Sequence, residues 1–216
     1  MKFWLATANL KRIEECLAYG IFEGVITNPA VVAEERTNPE VLFKEICRIA
    51  PRAYYQLEAG TREGMLEEAE RMLAVDPERM LIKVPATREG FGVIRKLSDQ
   101  DHEVMATAVP TNTWMILAAA AGARKIAPYS SMLQRAQIQS KMEGVLAMQR
   151  IIAAQELDVE LCTGIYHATE IPRYAAGGVR SAFIWEKDLE TYLTQELVDQ
   201  AVAGFEQDWD TISGLY

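Results

Sequence analysis

Histidine and cysteine are scarce in this chain of 216 residues, which holds two of the first and three of the second. His102 and His167 stand far apart with no ligand spacing, so no zinc centre is expected and no cofactor is implied. Cys16, Cys47 and Cys162 are scattered among apolar residues and form no CxxC pair. Buried thiols in a reducing compartment are the expectation, rather than disulfides or a metal site. No run rich in Lys and Arg occurs and the net charge is −9, which argues against nucleic acid as a partner. The longest apolar run, 113–123, is about half of what a membrane span needs. The opening MKFWLATANL turns polar too soon for a secretory leader, so a cytoplasmic protein is expected. A GxGxxG turn is absent, which weighs against an open dinucleotide-binding sheet.

What is present is an alternating pattern. Half of the residues are hydrophobic, enough for one sizeable core, and no linker or charge block divides them. Short runs rich in β-branched and aromatic residues fall at 3–6, 24–26, 53–57, 80–84, 104–108, 125–127, 159–162 and 181–184. Helical periods lie between them, at 10–18, 41–49, 62–74, 89–96, 114–121, 137–154 and 168–176, with a closing helix at 195–208. Strands alternating with helices imply parallel strands and right-handed crossovers. Eight such units in one short chain predict a single-domain α/β fold, a (β/α)8 TIM barrel with an additional C-terminal helix.

A barrel of this kind carries its chemistry at the C-terminal ends of its strands. Lys83 interrupts the apolar run Met80-Leu81-Ile82-Lys83-Val84-Pro85. Burial disfavours an ammonium and lowers its pKa, and a neutral amine attacks a ketone to form an iminium. The alternative is a strand-end lysine whose ammonium reaches solvent. Other strand ends supply Thr27 and Asn28 in TNP, the same-face set Tyr54, Gln56 and Glu58, then Thr107, then Tyr129. Each has a plainer role open to it: a turn at Asn28-Pro29, backbone satisfaction at Gln56 and Thr107, packing at Tyr129. Together they ring one mouth.

The pieces GVITNPAVVA (24–33), YYQLEA (54–59), EGMLEEA (63–69), LIKVPATREGFGVIRKL (81–97), ATAVP (106–110), AGARKIAPY (121–129) and AVAGFEQDW (201–209) resemble the transaldolase family, in its small fructose-6-phosphate aldolase-like branch. They occur in order over nearly the whole chain. The resemblance implies a Schiff-base lysine at Lys83, a proton-shuttling water held by Gln56, Thr107 and Tyr129, and a substrate hydroxyl contact at Asn28. It also implies a sugar or sugar phosphate as substrate. The C-terminal segment 195–216 is then a helix and tail at a subunit interface, in rings forming a homo-oligomer, a decamer.

Several positions depart from the family pattern. The family's first-strand Asp is Ala6 here, which can neither accept a proton nor pair with an iminium. Met132 stands where the aldolase branch has Arg, Gly164 where it has Ser, and Tyr166 where it has Lys. A phosphate dianion normally needs a cationic or multi-donor clamp, so Arg135 and the Gly164 amide are the substitutes to consider. Glu58 and His167 are further candidates at the mouth, the first to replace the missing carboxylate and the second by titration near neutrality. Ile26 and Trp4 make the floor apolar.

Three readings follow. One is class I aldolase or transaldolase chemistry through a Lys83 imine and enamine on a ketose or ketose phosphate. Another is the same imine chemistry on a diverged, unphosphorylated substrate. The last is a catalytically silent sugar-binding barrel, motivated by Ala6.

Overall fold

The computed structural model describes residues 1–58, 60–137 and 140–213. Eight parallel strands close into a barrel in chain order: β1 (Lys2–Ala6), β2 (Phe22–Ile26), β3 (Ala53–Gln56), β4 (Met80–Pro85), β5 (Val104–Val109), β6 (Lys125–Pro128), β7 (Glu160–Ile165) and β8 (Ser181–Trp185). Closure is made by β8 pairing with β1. Around it run α1 (Leu10–Leu17), α2 (Pro29–Glu34), α3 (Pro39–Ile49), α4 (Arg62–Leu73), α5 (Arg88–Ser98), α6 (Asn112–Ala120), α7 (Ser130–Arg135), α8 (Lys141–Ala154) and α9 (Glu170–Ala176). The chain is a (β/α)8 TIM barrel with an additional C-terminal helix.

Polar punctuation starts the helices. The side chains of Asn9, Asn28, Asn38, Thr61, Thr87, Thr111 and Ser140 each accept a backbone N–H in the first turn of the helix that follows. Each cap satisfies donors that a helix start would leave open.

The barrel interior is set by strand parity. Trp4, Ala6, Ile26, Tyr54, Leu81, Met105, Ala127 and Cys162 form one buried cluster, with Phe183 and Trp185 packed against it. Large side chains face glycine across the ladder. Trp4 pairs with Gly24, and a Cβ on Gly24 would come within 3.0 Å of the indole. Gly164 pairs with Phe183, whose ring would lie 2.8 Å from a Cβ there. Both glycines are needed for close approach, because a packed interior has no slack for a methyl group.

The contacts divide the chain into two units, Met1–Glu186 and Lys187–Tyr216. The second holds α10 (Leu189–Leu193) and α11 (Glu196–Ser213). No described residue of α11 is buried. Val198, Val202, Phe205, Trp209 and Ile212 are exposed and recur at spacings of four and three, which places them on one helix face. No described helix is long and apolar enough to cross a membrane.

All eight predicted strands are present within a few residues of their expected ends. The seventh is displaced: Val159 lies outside it and β7 runs on to Ile165. The helix expected over 137–154 begins only at Lys141, because Ser140 is its cap and Gln137 has a φ of 58°; residues 138 and 139 of that expectation lie outside the described residues. The short helices α2, α7 and α10 were not foreseen, since a stretch of five or six residues is too short for a helical period to show.

Candidate active site

Lys83 sits in the middle of the β4 run and is 5% exposed. It faces the barrel's C-terminal mouth, a cavity of about 720 Å³. Its Nζ donates to the Thr27 carbonyl at 2.6 Å. Burial lowers its pKa from 10.5 to about 8, with the nearby Cys162 acting slightly the other way. About a tenth of the amine is then neutral at pH 7, against under a thousandth for a solvated lysine. The alternative of a lysine reaching solvent does not hold. Cys162 itself stays a thiol, pushed up to about 11 by burial.

Gln56 is paired with Lys83 across the β3–β4 ladder. Its Oε1 is buried and accepts no hydrogen bond among the described residues. Thr107 is fully buried, one strand further round, and its Oγ1 likewise makes no hydrogen bond of ordinary geometry. It lies against the Tyr129 phenol, whose pKa is raised by burial and by Tyr166, while Thr107 acts in the opposite direction. Thr107 lines the mouth with Lys83, whereas Gln56 is not among the described lining residues. Buried polar atoms without partners are uncommon, and the Gln56 oxygen is one that a small polar guest or water would satisfy. Thr107 is placed by an irregularity: the β5–β6 register shifts between Ala106 and Val109, and Ala108 has a φ of 56°. Bulges of this kind re-aim a strand end.

The remaining expected residues divide. Ala6, Thr27, Asn28, Arg135, Gly164, Tyr166 and His167 all line the mouth. Thr27 spends its hydroxyl on the Tyr54 carbonyl at 2.9 Å, so its contribution is the carbonyl that holds Lys83. Asn28 caps α2, its Oδ1 accepting from Ala30 and Val31, which commits the oxygen and leaves the amide nitrogen. Glu58 is exposed and is not among the described residues lining the mouth; its backbone N–H is held by Glu68. Met132 is exposed and also lies off the mouth.

Beside Ala6 stands Trp185, its partner on the β1–β8 ladder, with Phe183 edge-on at 5.7 Å between ring centroids. Both aromatics line the cavity. So do Lys141 and Glu170, joined by an ion pair of 2.9 Å. Sequence reasoning passed over these four. Trp185 shares the inward parity of Phe183 and lies one residue past the expected strand end, so parity carried a signal for it. Lys141 and Glu170 sit on α8 and α9 at positions that no strand pattern marks.

The lower barrel is filled by Trp4 against Tyr54, with ring centroids 4.8 Å apart. Tyr54 donates to Glu103, and Lys125 is paired with Glu160. A second cavity, of about 1000 Å³, is lined there by residues including Lys2, Arg124, Lys125 and Glu160. Its buried cation, Lys125, is matched by the carboxylates of Glu160 and Glu103.

The strands close into a (β/α)8 barrel whose C-terminal mouth, the place where barrel enzymes carry their chemistry, holds a buried, partly neutral lysine. The chain belongs to the transaldolase/fructose-6-phosphate aldolase family, whose model matches residues 3–171. It is 30% identical over 220 residues to probable transaldolase 2 of Bacillus anthracis, covering 97% of each chain. It is 29% identical over 212 residues to a probable transaldolase of Methanococcus maripaludis, covering 97% of this chain and 98% of the relative. Among solved structures it resembles inosine 5'-monophosphate dehydrogenase from Legionella pneumophila, with a TM-score of 0.61 at 14% identity. That likeness covers 84% of this chain and 57% of the dehydrogenase, and it concerns the fold alone.

Proposed function

We propose that the protein is a class I aldolase or transaldolase that forms an imine between Lys83 and the carbonyl of a ketose or ketose phosphate. The neutral Nζ adds to the ketone carbon, and loss of water gives an iminium. When the C3–C4 bond breaks, its electron pair moves toward the iminium and forms an enamine. The C4 hydroxyl proton leaves to a base and an aldehyde departs. The enamine is then protonated at C3 and water releases the ketone, or a second aldehyde takes the place of the proton and a group is transferred. A water on Gln56, Thr107 and Tyr129 would move the protons.

The observation that carries this reading is the Lys83 amine, buried in an open mouth with a pKa near 8. The orphaned Gln56 oxygen supports it, because a buried acceptor without a protein partner suits a bound water that moves protons. Borohydride reduction in the presence of dihydroxyacetone, or of a panel of ketoses, should add the donor's mass to the peptide containing Lys83. Absence of an adduct with every ketone would overturn the proposal.

The exposed apolar stripe of α11 suits a subunit interface, as in a homo-oligomeric ring, since a monomer gains nothing by exposing Phe205 and Trp209. Three buried cysteines that form no disulfide suit a cytoplasmic setting.

A further inference from the structure

The mouth that holds Lys83 contains a second buried amine. Lys141 Nζ donates to the Gly164 carbonyl at 2.5 Å and to Glu170 Oε2 at 2.9 Å. Its side chain is 7% exposed. The Tyr166 ring centroid lies 4.3 Å from the ammonium and the Tyr174 centroid 5.5 Å away. Glu170 is fixed in turn, accepting the Tyr166 backbone N–H at 2.9 Å. An ammonium has three N–H groups; two are bonded and aromatic faces flank the rest. The cation is therefore neutralised inside the protein and not offered to a ligand.

The rest of this end of the cavity is also unsuited to an anion. Phe183 occupies the space a side chain at Gly164 would need, so no hydroxyl donor fits there. Trp185 extends the same aromatic wall. A dianion placed against Lys141 would meet the Glu170 carboxylate at short range in a poorly hydrated site, where like charges repel strongly. The remaining permanent cation among the described lining residues is Arg135, which is exposed and works in high dielectric. Aromatic faces with a few hydroxyl partners suit a polyol or a neutral aldehyde.

We propose that the Lys141–Glu170 pair is a specificity device: Glu170 cancels the buried cation of the mouth, so the site takes uncharged hydroxy-aldehydes and hydroxy-ketones and rejects their phosphorylated forms. The inference rests on reading this mouth as the place where Lys83 meets its carbonyl substrate. It makes Glu170 and Lys141 specificity-determining residues, not members of the proton relay.

The test compares the wild-type protein with Glu170→Gln. Calorimetric titration with inorganic phosphate measures anion binding without turnover. Steady-state kinetics with dihydroxyacetone as donor compare glyceraldehyde with its 3-phosphate as acceptor. The wild type should favour the neutral aldehyde in kcat/KM. Glu170→Gln should bind phosphate about tenfold or more tightly, the scale of one charge-assisted contact. Adding Lys141→Met to that variant should abolish the gain. A wild-type preference for the phosphorylated aldehyde overturns the proposal, as does phosphate binding that Glu170→Gln leaves unchanged. If Glu170→Gln does not fold, the wild-type preference and its phosphate titration decide. Borohydride trapping at Lys83 runs beside these assays. Its failure would overturn the imine reading, while calorimetry would still decide how the mouth treats an anion.

Discussion

Lys83 Nζ lies 2.6 Å from the carbonyl oxygen of Thr27, so the β4 amine is held by the backbone at the end of β2. The contact directs one N–H toward the wall of the barrel and stabilises the charged form. Burial acts the other way and wins, leaving the pKa near 8. Imine formation needs the free amine, so kcat/KM for cleavage should rise with pH and level off above an inflection near 8. A profile flat from pH 6 to 9 would contradict an amine nucleophile; stopped-time assays in overlapping buffers measure it.

The same shift predicts a stability effect. The folded-state pKa is depressed from 10.5 to about 8, so between those values the unfolded chain binds more protons than the native one. Stability should therefore rise with pH across that window, and the full penalty should be present below pH 8. Lys83→Met should remove that rise and stabilise the fold at neutral pH by about 3 kcal/mol, while abolishing trapping. Urea unfolding at pH 7 and pH 10 reads both.

Tyr129→Phe and Thr107→Val should separate imine formation from proton transfer. Each keeps most of the volume and removes a hydroxyl from the ring around Lys83. Turnover should fall by about a hundredfold or more, while borohydride adduct formation at Lys83 persists. Loss of trapping together with turnover would point to a packing role instead.

Ala108 takes a φ of 56° in the irregular end of β5, a conformation a side chain pays for and glycine does not. Ala108→Gly should raise stability by about 1 kcal/mol if the bulge is kept, and Thr107 should stay in place so that activity holds. Thermal unfolding and the cleavage assay check the two parts separately.

The α11 stripe leads to a prediction about assembly. Phe205→Asp with Trp209→Asp puts two carboxylates on the exposed apolar face. Light scattering should show a smaller particle than the wild type, with the far-ultraviolet helical signal retained. An unchanged mass would remove this face from any interface.

Legibility in the sequence followed the strength of each local signal. Strand parity put Tyr54 and Gln56 on one face of β3, because alternation in a strand is a period of two; that Gln56 stands beside Lys83 is set by the β3–β4 register, which no single strand encodes. Parity failed for Glu58, which follows β3 after its end at Gln56, where the chain leaves the ladder and the alternation lapses. Asn28 carried two meanings at once, a cap for α2 and a residue of the mouth, and only coordinates show that its oxygen is committed to the cap. Arg135 and His167 do reach the mouth, but as exposed groups.

By itself the sequence determined the barrel and the family and singled out Lys83, because each is written in local periods and contiguous motifs that depend on near neighbours along the chain; the burial of that lysine is a property of the closed barrel. Tertiary structure alone decided that Lys141 and Glu170, on separate helices, neutralise each other, and that Phe183 and Trp185 wall the space beside Ala6. The reason is closure: joining β8 to β1 brings together residues separated by nearly the whole chain, and no local pattern encodes which side chains then share one cavity.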